Sequence, residues 1–149
     1  THHSTSDSEN RSHSMRNPPT PGKDGRPLSL ALMREIHDAF NTRDADKIMA
    51  YFHPECTFYP ALGPEPVGRT VAGWHAVHKF LADRFKVIAD MHWETIDQYL
   101  CDERRAVTVW IVSGHSADGT VMNYKGCDLW EFKDGLVYNK DTYWKIVQK

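Results

Sequence analysis

Apolar residues in the first third of the chain recur every three or four positions, which is the spacing of one helix face. The first such face starts near Leu28 and extends over roughly three turns. It comprises Leu32, Met33, Ile36, Ala39 and Phe40. A second, shorter helix is predicted over Asp46–Phe52, with Ile48 and Met49 also inward, because Pro54 follows its end.

The next segment predicts a short strand, an irregular loop and a third helix. The strand is Cys56–Tyr59, and the loop follows because prolines and glycines crowd residues 60–68. The third helix is predicted over Val71–Ile88, since its apolar residues fall on one stripe that also contains His78. That stripe comprises Trp74, Val77, Leu81, Phe85 and Ile88.

The second half of the chain alternates apolar and polar residues, as half-buried strands do. The predicted strands are Met91–Cys101, Arg105–His115, Thr120–Lys133 and Leu136–Val147. Asp-Gly pairs at 118–119 and 134–135 mark hairpin turns between the last three strands. Helices followed by a run of antiparallel strands are typical of an α+β domain.

Two turn geometries are open at residues 134–135, and they place Asp128 differently. A two-residue turn sets Asp128 opposite Asp141, whereas a three-residue loop with a bulge sets it opposite Lys140. The bulged register is favoured because it brings the more apolar even-numbered positions of both strands onto one face. The same loop at 117–119 sets Trp110 opposite Gly126, where a glycine leaves room for the indole.

Asp128 is the most informative residue because it lies in mid-strand on an aromatic face. Its predicted neighbours are Trp110, Tyr124, Trp130 and Trp144. A carboxylate in such a place is costly unless it is paired, protonated or open to a cavity. The sequence therefore predicts a pocket acid, and the alternative is a structural pair with Lys140.

Composition and charge narrow the class of protein. The chain has 149 residues, of which 40% are hydrophobic, and a net charge of −2. These values predict one globular domain, no nucleic-acid partner and no membrane span. Three widely spaced cysteines predict a reducing compartment, the cytoplasm. Residues 1–27 are predicted to be a mobile arm, with the end of a purification tag at His2 and His3, and residues 28–149 the domain.

Residues 28–149 resemble the nuclear transport factor 2-like superfamily, especially its SnoaL-like and ketosteroid-isomerase-like branches. The resemblance lies in NTRDADKIMAYFHPECTFYP at 41–60 and GCDLWEFKDGLVYNKDTYWK at 126–145. It implies an α+β cone in which three N-terminal helices close over a curved, mostly antiparallel sheet. It also implies a homodimer formed through the outer sheet face, where Leu129, Tyr143 and Val147 are the predicted contacts.

The resemblance transfers functional residues only in part. Asp128 falls where ketosteroid isomerases place a protonated oxyanion-hole Asp, and near the acid/base Asp of polyketide cyclases. The isomerase base falls at Pro60 and its oxyanion tyrosine at Ile36, and neither residue is chemically competent. The Arg and Asp of the superfamily's epoxide hydrolases fall at Gly126 and Thr142. A pocket with one buried acid remains.

The resemblance and Asp128 together suggest a cofactor-free enzyme that isomerises, cyclises or dehydrates a small, flat, hydrophobic carbonyl compound. Asp128 would give a proton or hydrogen bond to the developing enolate, because burial among indoles favours the neutral acid. His78 or Tyr124 would assist as a second catalytic group. No metal is expected, since the pair His75 and His78 lacks further ligands.

The ligand-binding residues predicted for this pocket are Trp110, Tyr124, Trp130, Trp144, Lys140, Trp74 and Tyr59. The alternative function is a non-catalytic ligand-binding or dimerisation module. A closed cavity with an Asp128–Lys140 contact would favour the module, whereas an open pocket where Asp128 and His78 converge would favour the enzyme.

Overall fold

The computed structural model describes residues 17–148, which form three helices and one six-stranded sheet. The helices are α1 (Leu30–Asn41), α2 (Ala45–Met49) and α3 (Trp74–Val87). The strands are β1 (Phe52–Tyr59), β2 (Val71–Ala72), β3 (His92–Leu100), β4 (Arg105–His115), β5 (Val121–Lys133) and β6 (Leu136–Trp144).

Local sequence signals set where the helices begin and end. The Ser29 hydroxyl caps α1 by accepting from the Leu32 N–H at 3.0 Å, and the predicted apolar face of α1 is buried. Helix α2 ends at Met49, so the prediction that it reaches Phe52 was wrong. Phe52 instead begins β1 and pairs with Val137 of β6.

Helix α3 starts three residues later than predicted. Val71 and Ala72 pair with β1 as the short strand β2, which takes them out of the helix. Gly73 then turns the chain with a φ of 97°, a conformation that favours glycine. The apolar stripe predicted for this helix is buried, including Trp74, Val77 and Leu81.

The sheet is curved and mixed, in the strand order β2-β1-β6-β5-β4-β3. β1 runs parallel to β6, and every other neighbouring pair is antiparallel. The α+β class is confirmed. Among residues 17–148, two helices precede the first strand, and the third, α3, follows β2. Within residues 17–148, no helix is long and apolar enough to cross a membrane.

The register of β4 against β5 confirms the predicted contact between an indole and a glycine. Trp110 lies opposite Gly126, and Val112 lies opposite Tyr124. A Cβ atom placed on Gly126 would lie 2.7 Å from the Trp110 ring and 2.3 Å from the Tyr143 carbonyl oxygen. The glycine is therefore required for the position of the indole.

The predicted register of β5 against β6 was wrong. The turn has two residues, Asp134 and Gly135, with φ of 54° and 77°, as in a hairpin turn of left-handed residues. The bulge lies inside β6, between the pairs formed by Phe132 and Glu131, so Asp128 faces Thr142 and neither Lys140 nor Asp141. An extra residue in the turn or inside β6 has the same effect, because it keeps the even positions of β5 and β6 on one face. The predicted aromatic face is therefore still formed.

The predicted mobile arm falls partly outside the described residues, which begin at 17. Its described end lies against the domain. The Arg26 guanidinium forms two hydrogen bonds with the Glu35 carboxylate, at 2.8 and 2.7 Å. The Arg26 N–H also donates to the Gly135 carbonyl oxygen at 3.2 Å.

Replacing Gly126 with alanine tests the contact with Trp110. We expect Gly126→Ala to lower the free energy of unfolding by about 1–3 kcal/mol, the usual cost of overpacking a filled site. Urea denaturation followed by tryptophan fluorescence measures the change. Lys125→Ala, at the exposed neighbouring position of the same strand, is the control. Equal stability of the two variants would show that the indole has space to move.

Candidate functional site

The carboxylate of Asp128 lies at the centre of the concave sheet face and accepts from three donors. Trp110 Nε1 donates to Oδ2 at 2.8 Å, and the Thr142 hydroxyl donates to Oδ1 at 2.5 Å. Lys140 Nζ lies 3.0 Å from Oδ1, and both charged side chains are 5% exposed. Asp128 is therefore the acceptor in each of these three contacts.

Lys140 is a buried cation among aromatic rings. Its ammonium group donates to Thr142 Oγ1 at 2.8 Å and lies 4.2 Å from the centre of the Phe58 ring. Burial lowers the pKa of Lys140, and the Asp128 carboxylate opposes that shift. Thr142 is the residue of β6 that faces Asp128, and Lys140 lies two residues before it. The Lys140 side chain thus reaches Asp128 diagonally across the two strands.

A cavity of about 20 Å³, the inner cavity, adjoins the Asp128 carboxylate. This volume holds roughly one water molecule. It is lined by Met33, His37, Phe40, Trp93, Thr108, Trp110, Asp128 and Trp130. Outside it lies a surface groove of about 340 Å³, the outer groove, between α1 and β3. Both are lined by Met33 and His37, whose side chains therefore lie between the cavity and the groove.

His37 is the titratable residue that shares the inner cavity with Asp128, and it is not among the site residues predicted from the sequence. Its ring contacts the Thr95 hydroxyl at 2.9 Å and the Asn41 amide nitrogen at 3.1 Å. Burial lowers the pKa of His37, so the ring is neutral at pH 7. Because the amide nitrogen can only donate, the ring accepts from Asn41. His37 is four residues after Met33 and three before Phe40, so the helical period places it on the same side of α1 as these two buried residues. This spacing was the signal in the sequence that could have identified it.

A second cavity, of about 10 Å³, lies on the Lys140 side of the ion pair; we call it the Arg84 cavity. It is lined by Phe40, Phe58, Ala61, Leu81, Arg84, Met91, Trp93, Lys140, Thr142 and Trp144. Arg84, on α3, is half-buried and was also missed, since a charged residue near a helix end resembles a solvated one.

The predicted catalytic histidine does not join Asp128. His78 Nε2 lies 2.7 Å from Asp46 Oδ1, and its ring stacks on Trp74 at 5.5 Å. It lines a surface depression between α2 and α3 that does not include Asp128. The indole of Trp74 donates to the Met49 carbonyl oxygen at 2.9 Å, so it too belongs to the contact between these helices.

Of the other predicted ligand-binding residues, two line the inner cavity, two line the Arg84 cavity and two line neither. Trp110 and Trp130 line the inner cavity, and Lys140 and Trp144 line the Arg84 cavity. Tyr124 packs on Trp144 with 5.6 Å between ring centres. Tyr59 is half-buried on β1 and lines neither cavity. In the described part of the chain, no group of three or more His, Cys, Asp or Glu side chains is placed to hold a metal ion.

Comparison with known proteins identifies the family and the fold. The family model described as "SnoaL-like domain" matches residues 33–139. No curated protein sequence matches the chain.

Three similar solved structures share the fold at low sequence identity. A proposed polyketide cyclase from Xanthomonas campestris is 21% identical, with a TM-score of 0.66 over 77% of this chain and 88% of its own. TerC, co-crystallised with polyporic acid, is 20% identical, with a TM-score of 0.64 over 78% and 90%. Rv0760c from Mycobacterium tuberculosis, in complex with estradiol-17β-hemisuccinate, is 13% identical, with a TM-score of 0.68 over 81% and 96%.

A double-mutant cycle tests the buried ion pair. We expect Asp128→Asn and Lys140→Met each to lower the free energy of unfolding by about 3–5 kcal/mol, because each leaves one buried charge uncompensated. The double variant should lose less free energy of unfolding than the two single variants lose together. Urea denaturation measures all three, with the exposed Lys145→Met as control. Costs that simply add would show that the two charges do not interact.

Proposed function

Because the chain belongs to the SnoaL-like domain family, we propose that it binds a small, flat, apolar carbonyl compound and enolises it without a cofactor. The observation that carries the proposal is the Asp128 side chain, buried beside Lys140 and against a cavity lined by aromatic rings. A buried ion pair contributes little net stability, so its presence at a cavity favours a functional role.

Asp128 is the general base in this proposal. Its Oδ1 atom is occupied by Lys140 and Thr142, whereas Trp110 is the one described residue that donates to Oδ2. A carboxylate oxygen has two lone pairs, so Oδ2 retains one acceptor position for the proton next to a carbonyl group. Lys140 and Thr142 position the base, because both fix the carboxylate through Oδ1.

His37 is the proposed partner of Asp128, in place of His78. A neutral imidazole polarises a carbonyl group by donating its N–H, and burial keeps this ring neutral. Because Nε2 accepts from Asn41, the N–H is on Nδ1, and on binding it must exchange the Thr95 hydroxyl, 2.9 Å away, for the substrate carbonyl. Asp128 takes the proton from the α carbon, and the C–H electron pair forms the enolate that His37 stabilises. Returning the proton to a different carbon gives isomerisation, expelling hydroxide gives dehydration, and attack on a second carbonyl group gives cyclisation.

The substrate enters from the outer groove. The inner cavity now holds about one water molecule, so Met33 and His37 must move to join it to the groove. The groove's volume of about 340 Å³ lies at the lower end of the range for small-molecule pockets. Two structural neighbours carry a small organic molecule, polyporic acid or estradiol-17β-hemisuccinate, which supports a ligand of this size.

A second candidate function is a binding module without chemistry. The specific observation in its favour is the small, closed inner cavity beside an Asp128–Lys140 contact. A closed cavity with this contact is what the sequence predicts for a module. The two functions differ in whether bound carbonyl compounds lose a proton.

Proton exchange in D₂O separates enzyme from module without knowledge of the product. We expect the protein to speed deuterium incorporation next to the carbonyl group of at least one member of a panel of flat cyclic ketones, followed by NMR. Asp128→Asn and His37→Gln should each slow this exchange by about 100-fold or more, the usual effect of losing a general acid or base. His75→Gln, exposed on α3, should not.

Each variant is first checked for folding by circular dichroism, and His37→Gln keeps the test valid if Asp128→Asn unfolds. Thermal shift with flat phenols, which resemble enolates, measures binding separately. Stabilisation by a phenol without exchange of any ketone would favour the module. Unchanged exchange in folded Asp128→Asn would contradict the mechanism.

The homodimer implied by the resemblance belongs to the same proposal. Leu129 and Tyr143, on the outer sheet face, are 41% and 53% exposed, and Val147 is 54% exposed. Apolar side chains grouped on one face favour contact with a second copy. We expect Leu129→Lys with Tyr143→Lys to convert a dimer to a monomer in light scattering after gel filtration. Leu62→Lys, in the exposed loop after β1, is the control. A monomeric parent chain would contradict this prediction.

A further inference from the structure

Arg84 carries a charge that no described residue compensates. Its side chain is half-buried on α3, and within residues 17–148 no carboxylate lies within ion-pair distance of its guanidinium group. Its guanidinium lies over a ring face, since Cζ is 5.0 Å from the centre of Phe80. Burial of an unpaired cation is unfavourable, and it lowers the pKa of Arg84.

The charges around the Arg84 cavity do not balance. Lys140 lies at its buried end and Arg84 at its half-buried side, whereas Asp128 is the one carboxylate paired with either in the described structure. Two cations and one anion leave one positive charge in a region of low dielectric. An anion in this cavity would remove the imbalance, and its interaction would be stronger than in water.

The walls of the Arg84 cavity select the rest of the ligand. Phe58 forms an edge-to-face pair with Phe80 at 5.4 Å, and Phe80 in turn supports the guanidinium group. Trp144 lies on the same cavity. A guanidinium group is planar and binds a carboxylate through two parallel hydrogen bonds. The aromatic walls favour a flat body attached to that carboxylate.

We propose that the Arg84 cavity binds the carboxylate of an aromatic or polycyclic acid, held by Arg84 at the cavity mouth and by the ammonium group of Lys140. This inference rests on the proposed function, because it narrows its substrate class from flat carbonyl compounds to carbonyl compounds that also carry an acid. Lys140 uses two of its donor positions on Asp128 and Thr142, so a third is left for the ligand. The cavity of about 10 Å³ must widen on binding. Ala61, in the loop after β1, is the smallest residue of its wall.

Two matched probes, 2-naphthoate and its neutral amide 2-naphthamide, test the inference by isothermal titration calorimetry. We expect the parent protein to bind the acid at least about tenfold more tightly than the amide, since a hydrogen-bonded ion contact contributes that much. Arg84→Gln should lower the affinity for the acid by about tenfold or more and change the affinity for the amide by no more than about twofold. Lys86→Gln removes the same charge from an exposed position on the same helix and should change neither.

Equal affinity of the parent protein for acid and amide would overturn the inference, as would an equal loss of both in Arg84→Gln. An effect of Lys86→Gln as large as that of Arg84→Gln would also overturn it, because it would show general attraction by surface charge. In these cases amide binding and ketone exchange survive, so the proposed function stands. If neither probe nor any phenol binds the parent protein, both proposals fail.

Discussion

A buried ion pair in an aromatic interior sets the main constraint on this molecule. Neither Asp128 nor Lys140 is stable alone among indole and phenyl rings, because each has lost its water. Thr142 donates to the carboxylate and accepts from the ammonium group, so it satisfies both charges at once. The register of β5 against β6 must therefore be fixed, so that these three side chains stay within hydrogen-bond distance of one another.

The bulge in β6 is what provides that agreement. It places Thr142 opposite Asp128, and Lys140 two residues further along. The more apolar positions of β5 and β6 are both even-numbered, so one extra residue is needed to keep them on the same face. A bulge in the turn and a bulge inside the strand both meet this need, so the alternation does not locate the extra residue. The packing of Trp110 over Gly126 was predictable because a small residue facing a large one is a local, complementary signal.

The candidate site was predictable where a residue conflicts with its surroundings, and not elsewhere. Asp128 was found because a charge on an apolar strand face is anomalous. His78 lies on the inward stripe of α3, but that part of α3 packs on α2 instead of facing the sheet cavity. His37 and Arg84 lie on flanks of their helices. Which flank reaches a cavity depends on how a helix crosses the sheet, and this information is not local in sequence.

Asp128 lines the inner cavity and Lys140 lines the Arg84 cavity, so the ion pair connects the two. Lys140 contacts Oδ1 of Asp128 and also lines the Arg84 cavity. An anionic group in that cavity would therefore share the Lys140 ammonium with Asp128. Ligand binding in one cavity would thus act on the residue that positions the base in the other.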